Sequence, residues 1–170
     1  HDMFTDLYNR SYLEQEITRL SSKKGDSVGI VSCDIDGLKI VNDNLGHHAG
    51  DSLIKLVANI LKSSFREIDM VCRIGGDEFL ALMPSIDDDT VQNSCQKIHM
   101  QIEQHNANHK KEPISVSVGR ATGRVLSNKD IPEIIKQADN IMYSEKKMNH
   151  ENYDMLFFER FKKYGKDLFN

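Results

Sequence analysis

The sequence predicts an α+β domain of ferredoxin-like topology, with a central, mainly antiparallel sheet of about five strands flanked by helices. Apolar runs of strand length alternate with amphipathic stretches of helical period, in the order helix, β-α-β-β-α-β, then helix and strand. Two of the strands are joined by a tight turn containing Gly75-Gly76, a hairpin signal. The chain has 170 residues, 39% apolar and 28% charged, which fits one globular domain with its own core.

Each element has a local cause. Asn9 or Ser11 can cap a first helix carrying Tyr12, Leu13, Ile17 and Leu20, which Lys23-Lys24-Gly25-Asp26 ends. Val28 to Ile35 is rich in β-branched residues and reads as a buried strand leading into aspartates. A short segment with Leu38 and Val41 and a loop over residues 45–50 follow. Asp51 then opens a helix with Leu53, Leu56, Val57, Ile60, Leu61 and Phe65 on one side. Met70 to Ile74 and Glu78 to Met83 form the hairpin strands. Asp87-Asp88-Asp89-Thr90 starts a helix whose acids suit the positive end of its dipole. Ile114 to Val118 is the next strand, and Pro132 sits in the first turn of a helix bearing Ile134, Ile135, Ala138, Ile141 and Met142. A short strand over Tyr153 to Phe157 and a basic amphipathic helical tail over residues 158–170 complete the expectation, with residues 1–170 as a single domain.

The bulk properties exclude some functions. A net charge of −4 argues against a binder of nucleic-acid polymers, which carries a basic stripe. No apolar run approaches the roughly 20 residues that span a bilayer, so direct membrane contact is not expected. The three cysteines lack C-x-x-C spacing and sit in apolar stretches, as reduced core thiols in a cytoplasmic setting do. A chain that starts at His1 rather than Met is expected to be a piece of a longer protein, sensory or membrane-anchored.

The chemistry lies in acidic residues at strand ends. Asp34 and Asp36 are two apart at the end of the first strand, and alternation sends both to one side, where a divalent cation would relieve their repulsion. Taken alone, Asp36-Gly37 is also an ordinary turn. The hairpin Gly75-Gly76-Asp77-Glu78 adds two more acids on a neighbouring strand, after glycines that let the backbone pass close to a ligand. Carboxylates on adjacent strands are how palm-type nucleotidyl transferases hold paired metals.

These residues resemble a known signature. Asp34-Ile35-Asp36-Gly37-Leu38-Lys39, Asn42-Asp43, Gly46-His47, Gly50-Asp51 and Arg73-Ile74-Gly75-Gly76-Asp77-Glu78-Phe79 look like the GGDEF family of diguanylate cyclases. The likeness extends upstream through Asp2, Thr5, Leu7, Asn9 and Arg10, and downstream through Ser117-Val118-Gly119, Ala138-Asp139, Tyr143 and Lys146. It implies a palm-type nucleotidyl-cyclase fold and condensation of two GTP into cyclic di-GMP and two pyrophosphates, across a homodimer. By the resemblance, Asp34, Asp77 and the Ile35 carbonyl would ligate Mg²⁺ or Mn²⁺. Asp77 and Glu78 would assist at the 3′-hydroxyl, with Gly75 and Gly76 close to substrate. Asn42 and Asp51 would read guanine, Lys39 and Lys146 would neutralise phosphate, and the amides around Leu38 would cradle it. Arg66-Glu67-Ile68-Asp69 resembles the R-x-x-D site at which cyclic di-GMP inhibits the family, Arg66 stacking on guanine and Asp69 bonding its N–H edge.

Three departures stand out: Leu38 in place of Phe, Asp6 in place of Gly, and Asn149-His150-Glu151 in place of Gly-Arg-Asn. A neutral His150 would bring less charge to the triphosphate than Arg does. A weakly active or inactive domain that binds cyclic di-GMP or GTP is therefore the alternative reading. His105 and His109 have the i, i+4 spacing of a zinc pair but no third ligand, and a solvated helix end is expected there. No G-x-x-x-x-G-K-[ST] motif is present, which excludes a P-loop.

Overall fold

The computed structural model describes residues 1–170 as a five-stranded sheet between two helical layers. In chain order the elements are β1 (Tyr8–Asn9), α1 (Arg10–Ser21), β2 (Ser27–Ile35), α2 (Leu38–Leu45), α3 (His47–Ser64), β3 (Met70–Arg73), β4 (Glu78–Pro84), α4 (Asp88–Asn108), β5 (Val116–Arg124), α5 (Asp130–Tyr164) and a 3₁₀ turn (Gly165–Asp167). The strands lie in the order β1-β3-β4-β2-β5. Only the β1–β3 contact is parallel, so the sheet is mainly antiparallel. Strand alternation splits the core. Val31, Cys33 and Ile35 face α3 and α4, whereas Val28 and Ile30 face α1 and the first half of α5. All three cysteines are free and buried, and burial pushes the thiols up, to about 12 for Cys72 and about 11 for Cys95.

Four elements depart from the sequence expectation. α3 opens at His47 instead of Asp51, one turn early, because Gly46 (φ +86°) breaks the chain just after α2. Gly50 is thus helical, and its missing side chain makes room for the Asn42 amide, into which a Cβ would run. β5 continues six residues past Val118, pairing with the whole of β2 from Ser27↔Arg124 to Ile35↔Val116. Its second half, with Arg120 and Thr122 reaching Asp88 on α4, is too polar to read as a strand. β1 is only two residues long and has no period to detect.

The largest departure is at the C-terminus, where the expected strand Tyr153 to Phe157 is helical. α5 runs for 35 residues, since the sequence from Glu133 to Tyr164 contains neither Gly nor Pro. The buried residues there, Tyr153 and Phe157, are spaced i, i+4 and share one helical face, and the Phe157 and Phe161 rings stack at 5.8 Å. Residues 158–164 end α5, and the chain then turns back so that Leu168 and Phe169 enter the core.

Candidate active site

The site forms where β2 and β4 end side by side. Asp34 pairs directly with Glu78 in the sheet register, and the Asp77 carbonyl accepts from the Ile35 amide (3.0 Å). Asp34 is only 3% exposed. Its partner is Lys146 on α5, whose Nζ donates to Asp34 Oδ1 at 2.5 Å. Burial pushes the Asp34 carboxyl up to about 6, opposed by the Lys146 hydrogen bond and reinforced by the charges of Asp77 and Asp36. Burial works against the Lys146 charge, but the bond to Asp34 outweighs it, so that pKa is raised too.

Asp36 serves a different purpose from the one its spacing implies. Its carboxylate is turned into the protein, 1% exposed, and accepts from Ser115 Oγ (2.6 Å) and Ser117 Oγ (2.7 Å). Those hydroxyls satisfy it without a cation and pin the turn between β2 and α2. Gly37 follows in the left-handed region (φ +72°), and no side chain caps α2. The first amides of that helix are left free for an anion, as helix N-termini are. Leu38, Lys39, Asp77, Lys146 and His150 line one open cleft of about 310 Å³ at this helix end.

Asn42 and Asp51 sit on either side of the α2–α3 turn. Asp51 is exposed, while Asn42 Oδ1 is buried with no hydrogen-bond partner. A buried acceptor left unpaired is costly. Glu78 does not share the cleft with Asp77. It lines a neighbouring apolar cleft of about 300 Å³ between α1 and α5.

Sequence reasoning gave no role to several residues that hold the hairpin. Arg73 donates twice to the Gly76 carbonyl (2.8 and 3.3 Å) and reaches Asp2 at 3.4 Å. Asp2 in turn accepts from the backbone and hydroxyl of Thr5. The N-terminal segment thus ties down the Gly75-Gly76 turn that presents Asp77. Asn149 was read only as a departure, yet its Nδ2 donates to Ser117 Oγ (3.2 Å) and supports Asp36. The signals were a basic residue just before the glycines and polar residues on a helix facing a strand of serines.

Arg66 and Asp69 meet each other. Arg66 donates to Asp69 through Nε (3.0 and 3.1 Å) and Nη2 (2.6 Å), its backbone amide donates at 2.9 Å, and Nη2 also reaches the Pro84 carbonyl. The Asp69 side chain is wholly buried and Arg66 is 37% exposed. His105 bonds the Glu112 carbonyl and stacks on His109. No group of three or more His, Cys, Asp or Glu forms a ready metal cage. A hard divalent cation nonetheless suits the Asp34–Asp77 end of the sheet, where a buried carboxylate is raised in pKa and held by a single lysine.

A sequence profile of the family described as "Diguanylate cyclase, GGDEF domain" matches residues 1–152. The chain is 32% identical over 149 residues to a probable diguanylate cyclase, DgcT, of Escherichia coli K12, covering 85% of this chain and 33% of that protein. It is also 32% identical over 155 residues to the response regulator PleD of Caulobacter vibrioides, again 85% and 33%. It therefore spans about a third of the length of these curated relatives. Among solved structures, the GGDEF domain of DgcB from Caulobacter crescentus in complex with cyclic di-GMP superposes with TM-score 0.75 at 25% identity, over 86% of this chain and 89% of that one. The GGDEF domain of TpbB (YfiN) from Pseudomonas aeruginosa gives 0.75 at 27% identity, over 87% and 89%. No helix is long and apolar enough to cross a membrane.

Proposed function

The chain belongs to the GGDEF family, and from that premise we propose that it is a diguanylate cyclase domain condensing two GTP into cyclic di-GMP. The observation that carries this is Asp34: a carboxylate 3% exposed at the end of β2, next to Asp77 and balanced only by a lysine from another element. Asp34, Asp77 and the Ile35 carbonyl would hold Mg²⁺ or Mn²⁺. The ion, when bound, supplies Lewis-acid polarisation of the phosphate and lowers the pKa of the attacking hydroxyl.

The chain's own residues do the rest. The free amides at Leu38 and Lys39 receive the terminal phosphates, and the Lys39 ammonium lies in the same cleft. Lys146, which donates to Asp34 in the free chain, would neutralise a phosphate oxygen. The Asp51 carboxylate accepts from both N–H groups of guanine, a pair that adenine lacks, and Asn42 completes the edge. Asp77 takes up the proton of the 3′-hydroxyl. The 3′-oxygen then bonds to the α-phosphorus of the second GTP, and the bond to the β-phosphate oxygen breaks. Pyrophosphate leaves with its electron pair, and the step repeats in the opposite sense to close the ring. Each subunit of a homodimer presents one GTP, so catalysis is mainly positioning and charge neutralisation. Arg66 and Asp69 form the product-inhibition site, and their mutual pair must open to admit cyclic di-GMP.

The test is product analysis by chromatography after incubating the protein at high concentration with Mg²⁺ and GTP, ATP or both. Cyclic di-GMP and pyrophosphate in 1:2 ratio from GTP alone support the proposal. Absence of product with retained binding of cyclic di-GMP would overturn it in favour of a receptor domain.

A further inference from the structure

The last stretch of the chain, residues 153–170, lies outside the family match and has no part in the chemistry above. It nevertheless places four side chains in the core. Tyr153 is 2% exposed, Phe157 0%, Leu168 1% and Phe169 7%. These side chains belong to the same core as α2 and α3 rather than to the opposite layer.

They meet that core at two places. The Tyr153 ring lies against Gly37, where a Cβ would collide with it, and its hydroxyl donates to the Pro113 carbonyl at 2.9 Å. Gly37 is the residue that starts α2 and exposes its amides. Leu168 and Phe169 close beside Leu45, His48 and Ala49, on both sides of the α2–α3 turn. The Phe169 amide donates to the Lys111 carbonyl (3.0 Å), and Phe169 is held at φ +60°, a left-handed conformation that a bulky residue adopts only when its surroundings impose it.

The turn they brace joins two helices through Gly46, around which a Cβ would meet nothing within 4 Å. Gly46 therefore fixes little by its own packing. Asn42 lies on one side of it and Asp51 on the other, and the distance between these two decides whether both reach one purine. The Asn149-His150-Glu151 segment also shapes the fold. Without a glycine there, α5 continues and delivers the brace.

We propose that residues 153–169 are a positioning brace for guanine nucleotide, with Tyr153 setting the phosphate-binding turn and Leu168 and Phe169 setting the α2–α3 turn between Asn42 and Asp51. This rests on the reading that Asn42 and Asp51 receive guanine. The tail touches no reacting atom. Its effect falls on affinity and base selectivity before it falls on the chemical step.

The experiment measures dissociation constants of non-hydrolysable GTP and ATP analogues with Mg²⁺ by calorimetry, on the 170-residue chain and on Leu168→Ala, Phe169→Ala and Leu20→Ala. Leu20 is 5% exposed in the opposite core layer and controls for general destabilisation. Leu168→Ala and Phe169→Ala are expected to weaken the GTP analogue about five- to tenfold and to narrow its preference over the ATP analogue, the range for positions that act through a neighbouring element. Leu20→Ala should stay within about twofold at an equal or larger loss of Tm, and Phe169→Leu should restore most of the affinity. Tail variants that bind like the parent chain, or that lose affinity only in proportion to Tm as Leu20→Ala does, overturn the brace. Failure of the parent chain to prefer the GTP analogue instead sinks the guanine reading, and the brace with it.

Discussion

Asp34 and Asp69 are both buried aspartates held by a basic side chain, and they differ in how completely they are held. Asp69 takes three bonds from the guanidinium of Arg66, three residues away, and a fourth from the Arg66 backbone amide. Asp34 takes one bond from a lysine 112 residues away, with two further carboxylates nearby. The first is a closed local pair whose demands are met within one turn of chain. The second is a long-range contact that leaves an acid raised to about 6, and a more highly charged cation would serve it better. The Asp34–Lys146 pair is not closed on itself, whereas the Arg66–Asp69 pair is.

The largest effect that tests this contrast comes from removing the acids of the first site. Asp77→Ala should lower turnover of GTP by about a thousandfold, since several kcal/mol of transition-state charge stabilisation go with the bound ion. Its Tm should hardly move, because Asp77 is half-buried and fills no core space. Steady-state rates and a melting curve check both halves, and unaltered turnover would remove Asp77 from the centre. Asp69→Ala should do the reverse. It strips the Arg66 amide and guanidinium of their acceptor and should cost about 1–3 kcal/mol of stability, with turnover in the absence of product little changed. Denaturant melts decide the point, and an unchanged midpoint would mean the pair contributes nothing.

Much of this was legible in the sequence, and the reasons differ by region. Helices α1, α3 and α4 and the hairpin follow from period and turn chemistry that act over a few residues, whereas α2 reads only as a short segment and the phosphate-side lysines come from the family resemblance. Asp77, Lys39 and Lys146 line one cleft, and Asp34 reaches it through its bond to Lys146. Asp36 was misread because alternation gives a side of the sheet but not a partner, and Ser115 and Ser117 lie about 80 positions on. The Tyr153 to Phe157 segment is a short, mostly apolar stretch of the kind that strands and buried helices share, and only the absence of a breaker before Gly165 betrays the helix. The Arg66–Asp69 pair was anticipated as two groups reaching for a ligand, whereas the shorter path is to each other.

Proton competition sharpens the contrast at a smaller scale. Burial raises the Asp34 carboxyl to about 6, so the ionised form that a cation needs is gained as pH rises through 6 and lost as it falls. For an acid shifted upward, protons compete with a cation for the carboxylate below the shifted value, so binding weakens there. Cation affinity measured with a GTP analogue is therefore expected to drop about tenfold from pH 7 to pH 5. The Tm gain given by Mg²⁺ should shrink over the same interval. Asp34→Asn should flatten that pH dependence, and a profile unchanged in the variant would assign the titration to another group.

The smallest effect concerns the closed pair. Arg66→Lys keeps the charge but loses the planar fork that holds Asp69 through Nε and Nη2, and the bond to the Pro84 carbonyl with it. Arg66 is 37% exposed, so solvent already shares its charge, and the stability loss should stay near 1 kcal/mol or below. Two consequences for product binding then oppose each other. A lysine pair opens more easily, which favours entry of cyclic di-GMP, but an ammonium cannot chelate or stack on guanine as a guanidinium does. Contact with the ligand outweighs the easier opening if Arg66 belongs to the product site, and inhibition of GTP turnover should then set in at several-fold higher cyclic di-GMP, with the uninhibited rate unchanged. Identical inhibition curves for the two proteins would make the pair a structural tie alone, and stronger inhibition in the variant would show that opening of the pair is what limits product binding.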